Sequence, residues 1–233
     1  MSTVSKSFPE EAASRAFSHT LNQRLSSRAA LGLWVQIAVG YCLLEAALWT
    51  SPGRADLAWM ILTAGFIFVM AFLGPYSVQE MGLTIPSRTA SGRILGVGLI
   101  LALTLWSFAA LTGANTAPTH AMPLRTAWQY AIWAFLQQFM LQSFFFLRLE
   151  SLLGSKRAVF ATTILFAAAH LPNPILTVGS ALVGFFFCEM FRRYRNILPL
   201  GVVHLILGLT MASTVSDALL HHMRVGIGYL QFH

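Results

Sequence analysis

The sequence predicts an all-α protein, a polytopic bundle of about seven to eight transmembrane helices. Of its 233 residues, 56% are hydrophobic and only 10% are charged, whereas an average soluble domain carries roughly 25% charged residues. Whole uncharged segments reach about 20 residues, the length that a helix needs to cross a bilayer. The net charge of +7 does not indicate nucleic-acid binding, because it is spread over the segment ends.

Seven apolar segments are predicted to span the membrane, and a weakly apolar eighth has about half the needed length. They lie at 29–50, 56–76, 92–113, 123–148, 157–172, 174–191 and 196–215, with the weak segment at 216–232. Residues 29–233 are therefore predicted to form one transmembrane bundle. Residues 1–28 form a polar segment, in which 7–25 has the pattern of an amphipathic helix on the membrane surface; a disordered tail is the alternative.

The basic residues predict the orientation of the bundle. Twelve of the 15 Lys and Arg residues precede span one or lie between spans two and three, four and five, or six and seven. By the positive-inside rule, the N-terminus is expected in the cytoplasm and the tail after span seven outside.

Four sets of polar residues stand out inside apolar segments, where an unpaired polar group is costly. They are Gln137, Gln138, Gln142, His170, His204 and Glu45. At about 1.5 Å per residue, the first glutamine and both histidines lie about 14–20 Å from the basic residues at the cytoplasmic ends of their spans. That depth is near the middle of a core roughly 30 Å thick, so these side chains are able to converge on one cavity.

Each polar residue also has a simpler interpretation. Glutamine amides can link neighbouring helices by hydrogen bonds, and an imidazole such as His170 can cap a helix C-terminus. Glu45 can be protonated by desolvation or hydrogen-bonded to a neighbour. Glu189 precedes Arg192 and Arg193 by about one helical turn, which favours an ion pair at the membrane interface.

Two short patterns on successive helices resemble motifs of the CPBP family, which comprises the CAAX-type prenyl endopeptidases and the bacterial abortive-infection proteins. Its FxxxH motif is present as Phe166 and His170, before an HLPNP turn. Its HxxxN or HxxxD motif is matched at His204, whereas the last position, 208, is Gly rather than Asn or Asp. The first motif of the family falls in span four, before the other two. The order and spacing of the three motifs extend the resemblance over about residues 125–215.

The first motif, in span four, departs from the family pattern at its charged positions. The family has EExxxR, whereas this chain has Gln137, Gln138 and Gln142 at the same spacing. Gln138 and Gln142 keep the one-turn separation and replace an ion pair by a neutral amide pair. Because both charges are absent together, neither is left unpaired in the membrane, which would be costly.

The resemblance implies an intramembrane endopeptidase that hydrolyses hydrophobic or lipidated substrates, with position 137 as the general base. The expected catalytic set is Gln137, Gln138, Gln142, His170 and His204, and the expected binding residues are Phe166, Gly208 and Glu45. An amide cannot take a proton from water, and general-base catalysis typically contributes about 10²–10⁴-fold. The site is therefore predicted to be altered and impaired, unless a histidine, Glu45 or Glu189 replaces the base.

Two other functions remain open. A non-catalytic relative would bind a membrane protein or a lipidated tail in the retained cavity. A transporter would need a continuous polar path, and the sequence has no inverted repeat to favour one.

No metal or cofactor is predicted. Glutamine is a poor zinc ligand, and the sequence has no HExxH motif. The expected partners are membrane lipids and a hydrophobic or lipidated protein, with no nucleic acid. Short loops and the bacterial abundance of the family indicate a bacterial inner membrane.

Overall fold

Helices make up most of the chain that the computed structural model describes, residues 26–85, 87–114 and 124–231. These ranges contain no strand, which confirms the predicted all-α fold. The amphipathic helix predicted at 7–25 lies outside the described residues.

The helices follow one another with short connections. They are α1 Ser27–Leu48, α2 Arg54–Phe72, α3 Arg88–Thr112, α4 Leu124–Gln138, a π-helix Phe139–Phe146, α5 Leu147–Leu153, α6 Ser155–Ala168, α7 Pro174–Tyr194, α8 Ile197–Thr214, α9 Asp217–Leu220, a 3₁₀ turn His221–Met223 and α10 Gly226–Leu230.

Six stretches of the described chain are long and apolar enough to cross a membrane. They match six of the seven predicted spans, and one of them, Thr126–Leu153, joins α4, the π-helix and α5. The remaining predicted span, 157–172, is α6, which has 14 residues. Its length of about 21 Å is less than the bilayer core of roughly 30 Å. The chain is an integral membrane protein.

The outer faces of these helices carry large apolar side chains. Leu103, Ile164 and Leu182 are among many that are exposed on the surface of the bundle. A water-soluble protein rarely leaves so large an apolar surface uncovered, whereas lipid tails solvate it.

Local sequence explains where the helices begin. Four of them start at a side-chain cap that accepts a backbone N–H of the first turn: Ser26, Ser87, Asn173 and Asn196. Such caps satisfy donors that no helix can satisfy internally. Pro174, at the first position of α7, has no N–H and needs no partner there.

Helix α8 occupies the centre of the site region. Both α3 and α4 pack along it, while α6 packs along α7 and α1 along α2. Gly201 makes the α4 contact close, because a Cβ at this position would come within 2.4 Å of the Phe135 ring. This close approach brings the glutamines of α4 next to the histidine of α8.

The π-helix follows directly after Gln138, within the first family motif. Its turns close by i→i+5 hydrogen bonds and are wider than those of an α-helix. Phe144, Phe145 and Phe146 are all buried in succession, at most 3% exposed. The segment packs against α2, α6 and α7, and it sets the direction in which Gln142 points.

Arg148 is a buried structural group rather than a charge at the membrane surface, where the topology argument had placed it. Its side chain is fully buried and donates to Gln36 Oε1 at 2.8 Å, Met70 O at 2.7 Å and Phe144 O at 3.1 Å. It thereby joins α1, α2 and the π-helix. No described carboxylate lies within ion-pairing distance of it.

The weak eighth segment does not form a span. Residues 216–231, here called the tail strap, consist of short helical pieces that return along the bundle end. Fully buried Asn173 donates to the carbonyls of Leu220 and Arg224. Gly226 N donates to Leu171 O at 2.8 Å, so the strap is fixed to the α6–α7 turn.

Replacing Asn173 should loosen the tail strap. We expect Asn173→Ala to lower the free energy of unfolding by about 2–4 kcal/mol, since one cap and two buried hydrogen bonds are lost. Unfolding of the purified protein by SDS titration measures the loss. Asn173→Ser is the matched variant, because serine keeps a capping oxygen but is too short to reach both carbonyls. An Asn173→Ser variant as stable as the wild type would contradict a role for the strap contacts.

Candidate functional site

Five of the residues predicted for the site line one cavity of about 610 Å³ in the membrane-embedded part of the bundle. They are Gln137, Phe166, His170, His204 and Gly208. At least one residue of each of the three motifs therefore lies at this cavity. Most of the other lining residues are apolar or aromatic, from α1, α3, α4, the π-helix, α7 and α8.

Gln138 and Gln142 lie behind the cavity wall and support it. Both are fully buried. Gln142 Nε2 donates to Gln138 Oε1 at 3.4 Å, and Gln138 Nε2 faces His204 Nδ1 at 3.2 Å. The two amides thus form a neutral one-turn pair that ends on the imidazole of α8.

This chain of hydrogen bonds sets the tautomer of His204. Because Gln138 Oε1 accepts from Gln142, its amide nitrogen is the atom that faces His204 Nδ1. An N–H donor there makes Nδ1 the acceptor, so the ring proton is on Nε2. His204 therefore offers a donor.

His170 has the opposite arrangement. Its Nδ1 lies 2.7 Å from Phe166 O, and a carbonyl can only accept, so Nδ1 carries the proton and Nε2 carries a lone pair. The Phe166 ring meets His170 edge-on at a centroid distance of 4.8 Å and His204 at 6.0 Å. Phe166 thus packs against both imidazoles and helps fix their orientation.

No described aspartate or glutamate lines the cavity. Glu45, predicted as a binding residue, accepts a hydrogen bond from Trp49 Nε1 at 2.9 Å and is not part of the lining. Glu189 forms the predicted ion pairs with Arg192 at 2.7 Å and Arg193 at 2.6 Å. Neither carboxylate lines the cavity, and the polar side chains of the described lining carry amide, imidazole, indole and hydroxyl groups.

A metal centre would need a different set of ligands. Within the described residues, no three His, Cys, Asp or Glu side chains are grouped so that they could hold an ion. Two imidazoles without a carboxylate or thiolate make an incomplete zinc site.

Sequence reasoning missed Tyr130, which lies two helical turns before Gln137 on α4 and lines the same cavity. A Cβ built on Gly208 would lie 1.8 Å from the Tyr130 hydroxyl oxygen. The hydroxyl therefore occupies the space that a side chain at position 208 would need. The seven-residue spacing from Gln137 and the glycine at 208 were the only signals in the sequence.

Comparison with known proteins agrees with the motifs. Residues 119–210 match the family model described as "Type II CAAX prenyl endopeptidase Rce1-like". This part of the chain is CAAX-endopeptidase-like. The predicted resemblance is thereby confirmed over the range that holds all three motifs. No curated protein and no solved structure gives a significant match.

The CAAX-endopeptidase-like region carries no charged side chain at positions 137, 138 and 142. Position 137 faces the cavity, while positions 138 and 142 are bonded to each other behind it. Both histidines are oriented by hydrogen bonds. A shaped, apolar pocket with fixed polar groups is the usual form of a ligand site, here without a carboxylate.

Proposed function

We propose that this CAAX-endopeptidase-like protein binds a hydrophobic or lipidated protein segment in its cavity and holds it without hydrolysing it. The observation that carries the proposal is the cavity lining, which keeps the motif histidines but contains no described carboxylate. Binding then depends on shape and on neutral hydrogen-bonding groups.

Loss of hydrolysis follows from the chemistry of Gln137. Peptide hydrolysis needs a group that takes a proton from the attacking water, and an amide has no titratable acceptor for it. Gln138 is committed to Gln142 and His204. The wall behind the cavity therefore carries neutral amides, which suits a site that is retained for binding.

The family supports the choice of ligand. The matched model is named for endopeptidases that act on prenylated CAAX sequences, and the apolar lining here suits a lipid chain joined to a peptide. A cavity of about 610 Å³ lies within the range of about 300–1,000 Å³ that is usual for ligand pockets. Surrounding membrane lipids are the other expected contacts.

Hydrolysis with a histidine base is the second candidate. It is favoured by His170, whose Nε2 lone pair is free of the Phe166 bond and whose ring faces the cavity. The two candidates differ in one result, because only the second produces a shortened peptide.

We further propose that the N-terminus is cytoplasmic in a bacterial inner membrane. The positive-inside rule, applied to the basic residues between the predicted spans, supports this orientation. His222 and Val225 of the tail strap line the cavity, so the cavity extends towards the opposite, non-cytoplasmic end. A ligand segment would then lie in the outer half of the bilayer.

Photocapture in liposomes tests binding. The probe is a synthetic peptide with an S-farnesyl cysteine that bears a diazirine, followed by three residues and a C-terminal carboxamide. We expect the purified protein to be labelled within the cavity, and excess unlabelled probe to abolish labelling. Labelling that maps only to outer lipid-facing residues would refute the proposal.

A matched pair of tryptophan variants on α7 gives the control. Ser180→Trp places the ring in the cavity, where Ser180 is part of the lining, whereas Val178→Trp places it on the exposed face of the same helix. We expect the first variant to lose most of the capture and the second to keep it. Equal capture by both variants would show that the probe does not enter the cavity.

A further inference from the structure

We propose that Tyr130 replaces the missing side chain at position 208 and that it selects, with Gln137 and His204, a ligand whose buried polar group is uncharged. The ligand class is an apolar chain that ends in an amide, ester or hydroxyl rather than in a carboxylate. This inference rests on the proposed function and specifies the ligand of the same site.

The first step is that a side chain of α4 fills the space that a side chain at position 208 of α8 would occupy. Gly208 follows His204 by one helical turn, and its missing Cβ leaves room for the Tyr130 hydroxyl, whose oxygen would lie 1.8 Å from that Cβ. The Tyr130 ring also meets His204 edge-on, at a centroid distance of 6.5 Å. A phenol thus takes the place that the family pattern gives to an Asn or Asp.

The second step concerns the hydroxyl itself. No described residue is hydrogen-bonded to Tyr130 Oη, and the residue lines the cavity. The same holds for the Gln137 amide. A polar group at membrane depth without a partner is costly, so these two groups are placed to bond a polar atom of an occupant.

The third step is the charge of the lining. None of the described lining residues is Lys, Arg, Asp or Glu. Tyr130, Gln137 and the His204 Nε2–H can donate, and His170 Nε2 can accept. A carboxylate bound beside these groups would be desolvated without a counter-ion, since His222, the other lining imidazole, already pairs with Asp217 at 3.1 Å. An amide or ester would find donors and an acceptor there.

Two probes that differ only at their terminus test the inference. We compare the farnesylated carboxamide probe with the same peptide ending in a free carboxylate, at neutral pH in neutral-lipid liposomes. The wild-type protein should bind the carboxamide about tenfold or more tightly. Equal or tighter binding of the carboxylate would overturn the inference while leaving the proposed function standing. Capture of neither probe would instead refute the proposed function.

Two tyrosines, one in the cavity and one outside it, provide a matched pair of variants. Tyr130→Phe should weaken carboxamide binding about five- to tenfold, the effect of one lost hydrogen bond. Tyr194→Phe removes a hydroxyl that accepts from Arg93 and is not part of the cavity lining, and it should leave that affinity within about twofold. If both variants behave alike, Tyr130 has no special role.

A compensating pair separates binding from packing. Tyr130→Ala alone should weaken carboxamide binding, and adding Gly208→Asn should restore part of it, because an amide then fills the vacated space. Gly208→Asn in the wild-type background should lower stability, since the new side chain collides with Tyr130. If the double variant is folded by size-exclusion chromatography but does not regain affinity, Tyr130 does not replace the side chain at position 208.

Discussion

Gln142→Arg alone should strongly destabilise the protein, and adding Gln138→Glu should recover much of the loss. Both positions are fully buried and bonded to each other. A single guanidinium there would be an uncompensated charge at membrane depth, which costs about 3–5 kcal/mol. The pair of substitutions restores the opposite charges of the family motif at one-turn spacing.

A double-mutant cycle measures this coupling. SDS titration gives the free energy of unfolding of the wild type, both single variants and the double variant. The interaction energy is the change in the double variant minus the sum of the changes in the two single variants. Gln142→Met is the neutral control, with an expected smaller loss because it adds no charge. Additive single effects would show that the amide pair does not stand in the place of an ion pair.

Arg148→Leu should strongly destabilise the protein. Removal of the guanidinium leaves Gln36 Oε1 and the carbonyls of Met70 and Phe144 without these donors. Each orphaned buried acceptor costs about 1–3 kcal/mol, and relief of the buried charge offsets part of the total. We expect a net loss of about 3 kcal/mol and a lower yield of folded protein.

Two comparisons make the Arg148 result specific. Arg157→Leu removes an exposed arginine near the same end of the bundle and should change stability by less than about 0.5 kcal/mol. Arg148→Lys should be intermediate, because an ammonium keeps the charge but lacks the planar fork that reaches three acceptors. If Arg148→Leu is as stable as the wild type, Arg148 does not hold the π-helix in place.

Much of the architecture can be predicted from residue patterns alone. Apolar length gives α1, α2, α3, α7 and α8 to within a few residues, because lipid demands a continuous apolar helix. Gln137, His170 and His204 lie at similar depths in their predicted spans, which allows them to meet. In the structure they line one cavity. Their roles there, and that of Glu45, stay predictions.

Other features depend on how helices approach one another. Hydrophobic periodicity reports which face of a helix is apolar, and it does not report the hydrogen-bond register of the π-helix. The contact between Tyr130 and Gly208 requires the distance between α4 and α8, which no local pattern gives. Arg148 was assigned to the surface because it ends an apolar run, whereas its acceptors come from three distant segments.

The mass of the bound probe tests the central claim most directly. The protein in liposomes is incubated with the farnesylated carboxamide peptide, and the peptide is analysed by mass spectrometry, with an active CAAX endopeptidase in parallel vesicles as the positive control. We predict that the wild-type protein binds the peptide and returns it at full length. A shortened peptide produced by the wild type and absent with His204→Ala would contradict the account and establish hydrolysis at a carboxylate-free site.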